Sequence, residues 1–412
     1  EIKQRRENIA RIIKNEEERF HETLFMGSKR LDELMEGLRS SGQKLLSGQD
    51  AFQLYDTFGF PFEITESTVI ENNLAVDKEG FEREMEKQRE QARSSTQMTG
   101  NIFDEGPIGI IKEIVKETVF QGYEKNETES KVIGLIVDEQ LVDSADAGQE
   151  IHIVLDQTPF YAEAGGQVGD TGIIQTKDSK VEVSNTKKAN DLIVHIGKVV
   201  EGKVKANDNV TCNIGRERRG AIKRNHSATH LLHSVLQQVV GQHAEQSGSS
   251  VTHERLRFDF HHFEGVKKDE IARIEELMNE RVMENASVIT NQMTLDQARK
   301  AGATALFGEK YGENVRVVNI GDYSQELCGG THVDNTGEIG LFKITSESSI
   351  AAGIRRIEAV TGNEAIAWAR RKEETLNRLC GVLETQENTI IQRAEELMLQ
   401  IKEFKKEVQK AS

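Results

Sequence analysis

At 412 residues the chain is too long for one ordinary hydrophobic core, so at least three domains are expected. It is 36% hydrophobic and 30% charged, with a net charge of -16, which excludes a disordered chain; no apolar run approaches the ~18 residues of a transmembrane helix. The three cysteines, Cys212, Cys328 and Cys380, lie too far apart for a disulfide framework, so a reducing, cytoplasmic setting is expected.

The charged opening EIKQRREN has no signal-peptide character and reads as the start of a fragment of a longer protein. Ile9, Ile12, Ile13 and Phe20 recur near helical spacing, predicting a long helix over 1–46. QDAFQLYDTFGFPFEIT, 49–65, breaks that pattern with aromatics, Gly59 and Pro61, and KEGFEREMEKQREQARSS, 78–95, resumes as a charged, solvated helix.

Near residue 113 the period changes to alternation. KVIGLIVD, EIHIVLD, GIIQT, KVEVSN, DLIVHIG and NVTCNIG are short runs rich in Val and Ile, predicting an antiparallel barrel or sandwich over 113–214. Within it TPFYAEAGGQVGDTG, 158–172, is too glycine-rich for a plain strand and points to a turn or a close approach to a ligand. RERRGAIKRNH, 216–226, carries five Arg or Lys in nine positions, a local basic cluster on an acidic chain. Helix is predicted over 216–241. LRFDFHH, the helix DEIARIEELMNERVMENA, SVITNQMT, VRVVNIG, IGLFKITSE and IRRIEAVTG then describe an α+β domain ending near 362. In 363–412, Leu376, Leu379 and Leu383, then Ala394, Leu397, Ile401, Phe404 and Val408, follow three- and four-residue spacing with a phase slip around 386–393. A coiled-coil or helical-hairpin arm is expected there.

The stretch NHSATHLLH, 225–233, carries the chemistry. On a helix His226, His230, His233 and Gln237 fall within ~60° of one another, opposite Ala228, Leu231, Leu232, Val235 and Val239. That leaves metal ligation or a solvated polar face. A second pair, Cys328 and His332 in ELCGGTHVDNTG, is four residues apart, with two glycines that let the backbone turn. His226, His230, Cys328 and His332 together make a reasonable tetrahedral set for Zn2+. Asp322, Glu326 and Asp334 lie near enough in sequence to orient ligands, His233 is left spare, and His243, His253, His261 and His262 read as surface or supporting residues.

HSATHLLH and CGGTHVDNTGEIG resemble the editing domain of the alanyl-tRNA synthetase family. AFQLYDTFGFPFEIT, TPFYAEAGGQVGDTG, LRFDF and GIRRIEAVTG extend the resemblance along the chain in the family's order. The resemblance implies a multidomain α+β chain: a helical tRNA-recognition region (1–112), a β-barrel (113–214), an α+β editing core with one Zn2+ per chain (215–362) and a coiled-coil dimerisation arm (363–412). It implies hydrolysis of tRNA(Ala) mischarged with serine or glycine, with ATP and Mg2+ used only by an aminoacylation core expected ahead of Glu1, and no membrane partner. It further implies Cys328, Thr229, Gln246 and Ser247 as residues of the reaction. Arg216, Arg218, Arg219, Lys223, Arg224, Gly165 and Gly166, with Lys187 and Lys188, become tRNA contacts. Asp56 becomes a reader of the acceptor stem or a helix cap. Two other readings stand beside this one: a non-catalytic, zinc-stabilised tRNA-binding and dimerising module, and the editing domain of the threonyl-tRNA synthetase family.

Overall fold

A computed structural model describes residues 6–97, 106–304, 312–351 and 353–411. The chain divides into two compact units, Glu1–Ile102 and Phe103–Ser412.

The first unit is helical: α1 (Arg6–Ser41), α2 (Gly48–Asp56), α3 (Phe62–Glu71) and α4 (Lys78–Gln97). The opening EIKQR and the side chains of Ile9 and Ile12 lie outside the described residues, while Ile13 and Phe20 of α1 are exposed. The break in periodicity at 49–65 is two short helices. Ser47 opens α2 by accepting the backbone N–H of Asp50, and Gly59, at φ 63, turns the chain toward Pro61 and α3. Leu31, Leu54, Phe60 and Phe62 close a small core. Asp56 ends α2, so it does not cap a helix start; its carboxylate accepts from the amide of Gln88.

The second unit begins with α5 (Pro107–Ile114), which lays Ile108 and Ile111 on the outside of a barrel beside Ile136, Val154 and Val194. The barrel strands are β1 (Glu127–Val137), β2 (Glu150–Leu155), β3 (Gly172–Gln175), β4 (Lys180–Ala189), β5 (Leu192–Glu201) and β6 (Asn209–Ile214). They pair antiparallel in the order β6-β3-β4-β5-β2-β1, and β1 returns to β6. That closure makes a barrel rather than a sandwich. Alternation supplies its filling, with Val132, Ile153, Val181, Val199 and Cys212 inward.

Next come α6 (Arg216–Val239), β7 (Gln246–Val251), β8 (Leu256–His261), α7 (Lys268–Met283), β9 (Val288–Thr294), β10 (Asn314–Ile320), β11 (Ser324–Leu327), β12 (Phe342–Ala351) and β13 (Ile354–Thr361). A four-stranded antiparallel sheet, β7-β8-β13-β12, carries α6 and α7, and a three-stranded sheet, β9-β10-β11, lies beside it. Leu231, Val235, Phe258, Phe260, Met278 and Ile357 form the common core. Strands β7 and β11 have no counterpart among the predicted runs: QSGSSV and SQEL are too polar to give an alternation signal.

The chain ends in α9 (Gly362–Val382), numbered after the short helix α8 (Leu295–Lys300), and α10 (Ile390–Ala411). The break between α9 and α10 coincides with the phase slip in the apolar spacing. Ile401, Phe404 and Val408 of that spacing on α10 are exposed, so the two helices do not bury this part of the stripe as a packed hairpin. Among the described residues no helix is long and apolar enough to cross a membrane.

Barrel and α6 are joined by a buried ion pair. Arg219 donates through Nε to Asp170 Oδ1 at 3.0 Å, and through its terminal nitrogens to the carbonyls of Gly122 at 2.6 Å and Pro159 at 2.9 Å. Both side chains are almost wholly buried. Removing one member leaves the other charge uncompensated. Asp170→Ala is therefore expected to lower stability by about 3–5 kcal/mol in urea unfolding; a loss under about 1 kcal/mol would contradict a fastening role.

Candidate metal centre and cavity

The histidine face of α6 is not solvated. His226, His230 and His233 are 5%, 7% and 4% exposed, so the helix is buried on both sides here, its apolar face by the sheet and its polar face by two incoming loops.

One loop follows β11. Cys328 and His332 arrive on the CGGTH turn, and the donor atoms of His226, His230, Cys328 and His332 lie within 4.8 Å of one another. The Cys328 Sγ is 3.4 Å from His226 Nε2 and 3.3 Å from His332 Nε2. Gly330 allows this approach, because a Cβ there would sit 2.0 Å from Cε1 of His226. The turn is held from outside by Arg316, which donates to the carbonyls of Cys328 and Gly330 at 3.0 and 2.7 Å, and by Tyr123 Oη, which donates to that of Gly329 at 2.6 Å.

The other loop is the glycine-rich segment of the barrel. Ala164 and Gln167 exchange backbone hydrogen bonds of 3.2 and 3.0 Å across Gly165 and Gly166, both at positive φ, which is a tight two-residue hairpin turn. Gly166 must also be small, because a Cβ there would meet the Ser249 carbonyl at 2.6 Å. The turn delivers Gln167, fully buried, to the histidines.

Each clustered imidazole is held through Nδ1. Gln167 Oε1 accepts from His226 at 2.7 Å, Ser227 Oγ pairs with His332 at 3.1 Å, and Glu326 Oε2 pairs with His230 at 2.6 Å. This leaves the Nε2 atoms for the cluster, the arrangement that metal-ligating histidines adopt. Nε2 of His230 is buried and has no hydrogen-bond partner among the described residues. An orphaned imidazole nitrogen beside a thiol and two further Nε2 atoms fits a metal ion.

Electrostatics agree. Burial would raise the Cys328 thiol, but His226, His332 and His230 bring it well below its ordinary range. Burial would also raise Glu326, but His230 and His233 hold it at about 2. Burial alone would lower His230; the Glu326 carboxylate and Cys328 outweigh it and lift it to about 10. Burial sets His332 at about 3, against the pull of Cys328. A thiol drawn toward thiolate and a buried carboxylate favour positive charge beside them, from protonated imidazole or from a bound cation.

The cluster opens into a cavity of about 470 Å³. Thr229, Gln246, Gly165 and Lys188, residues singled out in the sequence, line it together with Ser249, Asn314 and Arg316. Ser247 is exposed and does not line it; Ser249 takes that place on β7. Thr229 Oγ1 donates to the carbonyl of Asn225 at 2.8 Å. Asp322 and Asp334 are exposed, whereas Glu326 is buried and binds His230. His233 is not spare, since its Nδ1 pairs with Glu326 Oε1 at 3.0 Å.

Of the basic cluster, Arg219 is committed to Asp170 and is closed to any outside phosphate. Arg218 spends one nitrogen on the Gly169 carbonyl. Arg216, Arg218 and Arg224 share a second cavity of about 550 Å³ with His253, and Lys223 is half-buried nearby on α6. Gln167, Ser227 and Ser249 escaped the sequence reading. The available signal was position: Gln167 directly follows the paired glycines flagged for close approach.

Residues 1–218 match the family model described as tRNA synthetases class II (A), and residues 315–358 match that of the threonyl and alanyl tRNA synthetase second additional domain. An alanine–tRNA ligase of Thermoanaerobacter sp. (strain X514) is 44% identical over 409 residues, 99% of this chain and 46% of that protein. Those of Pelotomaculum thermopropionicum and Bacillus velezensis are each 46% identical over 99% of this chain, which covers 47% and 46% of their lengths. The chain spans about half the length of the curated relatives it matches.

Gly330→Ala is expected to displace the His226 ring and weaken metal binding at least ~10-fold with little change in far-UV circular dichroism. Unaltered affinity in a chelator competition would mean that the turn and His226 do not meet as described.

Proposed function

The chain belongs to the alanyl-tRNA synthetase family, and from that membership we propose that it binds tRNA(Ala) and hydrolyses the ester when serine, or glycine, has been attached in place of alanine. One Zn2+ per chain is held by His226, His230, Cys328 and His332. The observation that carries the reading is the orphaned Nε2 of His230, placed with the Cys328 thiol in the wall of a cavity large enough for a substrate end. When bound, the ion supplies a Lewis acid that attracts a hydroxyl or amino group and is indifferent to a methyl.

The chain's own residues account for selection. Packing alone discriminates weakly against an added hydroxyl, whereas a site built to pair with one separates the two substrates by as much as ~10⁴–10⁵. The proton of Thr229 is committed to the Asn225 carbonyl. Its oxygen lone pairs therefore accept from a donor such as the serine hydroxyl. Gln246 Nε2 donates to Ser249 Oγ at 3.3 Å, leaving its carbonyl oxygen to orient a water or the substrate amine. Water adds to the ester carbonyl carbon, the bond from that carbon to the ribose oxygen breaks, and the proton released by water ends on the ribose hydroxyl. Lys188 at the cavity and Arg216, Arg218, Lys223 and Arg224 outside it suit backbone phosphates. The exposed stripe of α10 suits pairing with a second copy, and the reaction places the protein in the cytoplasm.

Four protein donors are also enough to close a tetrahedral site. That favours a second reading, in which the metal is structural and the chain only binds tRNA and dimerises. The two part in one assay. The metal-loaded chain is expected to release serine from Ser-tRNA(Ala) while sparing Ala-tRNA(Ala). Cys328→Ala should lose metal and activity together, and Thr229→Val should slow serine release roughly 10–100-fold. Failure of the metal-loaded wild type to favour the serine ester would leave only the structural reading.

A further inference from the structure

Gln167 belongs to the barrel yet ends inside the metal cluster. It is fully buried, and its partners are remote in sequence: His226 lies 59 residues away and Thr331 lies 164 away. Oε1 accepts from His226 Nδ1 at 2.7 Å and from the backbone N–H of Thr331 at 2.9 Å, while Nε2 donates to Thr331 Oγ1 at 3.0 Å. The Thr331 N–H fixes which way the amide faces, since a flipped amide would oppose donor to donor. A carbonyl oxygen only accepts. Nδ1 of His226 must then carry a proton, so in the neutral ring Nε2, 3.4 Å from Cys328 Sγ, is the nitrogen that keeps its lone pair.

The backbone around Gln167 is equally constrained. Gly166 O accepts from Val251 N at 2.8 Å, Val168 N donates to Val251 O at 3.1 Å, and Asp170, three residues on, is tied to Arg219. The loop is thus fastened to β7 on one side and to α6 on the other.

We infer that Gln167 is a positioning residue that sets the tautomer and ring orientation of His226 and ties it to the CGGTH turn, so that the barrel is a working part of the metal centre. This rests on the metal reading of the cluster and not on ester hydrolysis.

The test is equilibrium Zn2+ affinity, by competition with a chromophoric chelator, together with the visible spectrum of the Co2+ form. Gln167→Leu keeps the bulk and removes the acceptor; Gln167→Glu keeps an acceptor facing His226. Gln167→Leu is expected to bind Zn2+ roughly 10–100-fold more weakly with an altered Co2+ spectrum, and Gln167→Glu to stay within about threefold of wild type. Should Gln167→Leu fail to fold, Gln167→Ala carries the same expectation. Wild-type affinity in the acceptor-free variant would overturn the inference, as would equal weakening in Gln167→Glu, which would assign the effect to packing. Ester hydrolysis is not read, so a wild type that binds Zn2+ and leaves Ser-tRNA(Ala) intact defeats the proposed reaction while this inference stands.

Discussion

Three imidazole rings are held through Nδ1 by three partners from different parts of the fold: Gln167 on the barrel loop, Ser227 on α6 and Glu326 on β11. Without those hydrogen bonds the rings would be free to rotate, and four donor atoms would not converge. Much of the second unit places these partners. The closed barrel presents the glycine turn, the Arg219–Asp170 pair fastens it, and Arg316 and Tyr123 brace the cysteine turn. Supporting groups of this kind fix ligand geometry as much as the ligands do.

The charge distribution follows from the same contacts. Glu326 takes hydrogen bonds from two histidines and stays ionised despite burial, and Cys328 is drawn toward the thiolate by three rings. Buried negative charge of that density is sustained by positive charge beside it, from protonated imidazole or from a cation that these donor atoms could hold. Thr229 and His230 are adjacent on α6, so the hydroxyl of Thr229 and the His/Cys cluster share one wall of the cavity.

Much of this was legible in the sequence, for identifiable reasons. All six barrel strands show as alternating Val- and Ile-rich runs because the barrel buries one side of each. Two pairs spaced four apart, His226 with His230 and Cys328 with His332, were enough to name the four residues whose donor atoms converge. Burial of the histidine face was not legible: polarity on a helix looks the same whether water or a polar loop covers it. Nor were β7 and β11, whose polar residues line a cavity or bind histidines rather than fill a core. Arg219 looked like its basic neighbours, and only the position of Asp170 separates an internal tie from a free cation. Gln167 could be seen only once the barrel was folded against α6.

The proposed metal centre stands or falls on its donor set. X-ray absorption at the zinc edge of the purified chain should give one ion per chain with three nitrogen neighbours at about 2.0–2.1 Å and one sulfur at about 2.3 Å. A metal-free chain after zinc loading, or a first shell without sulfur, would contradict it.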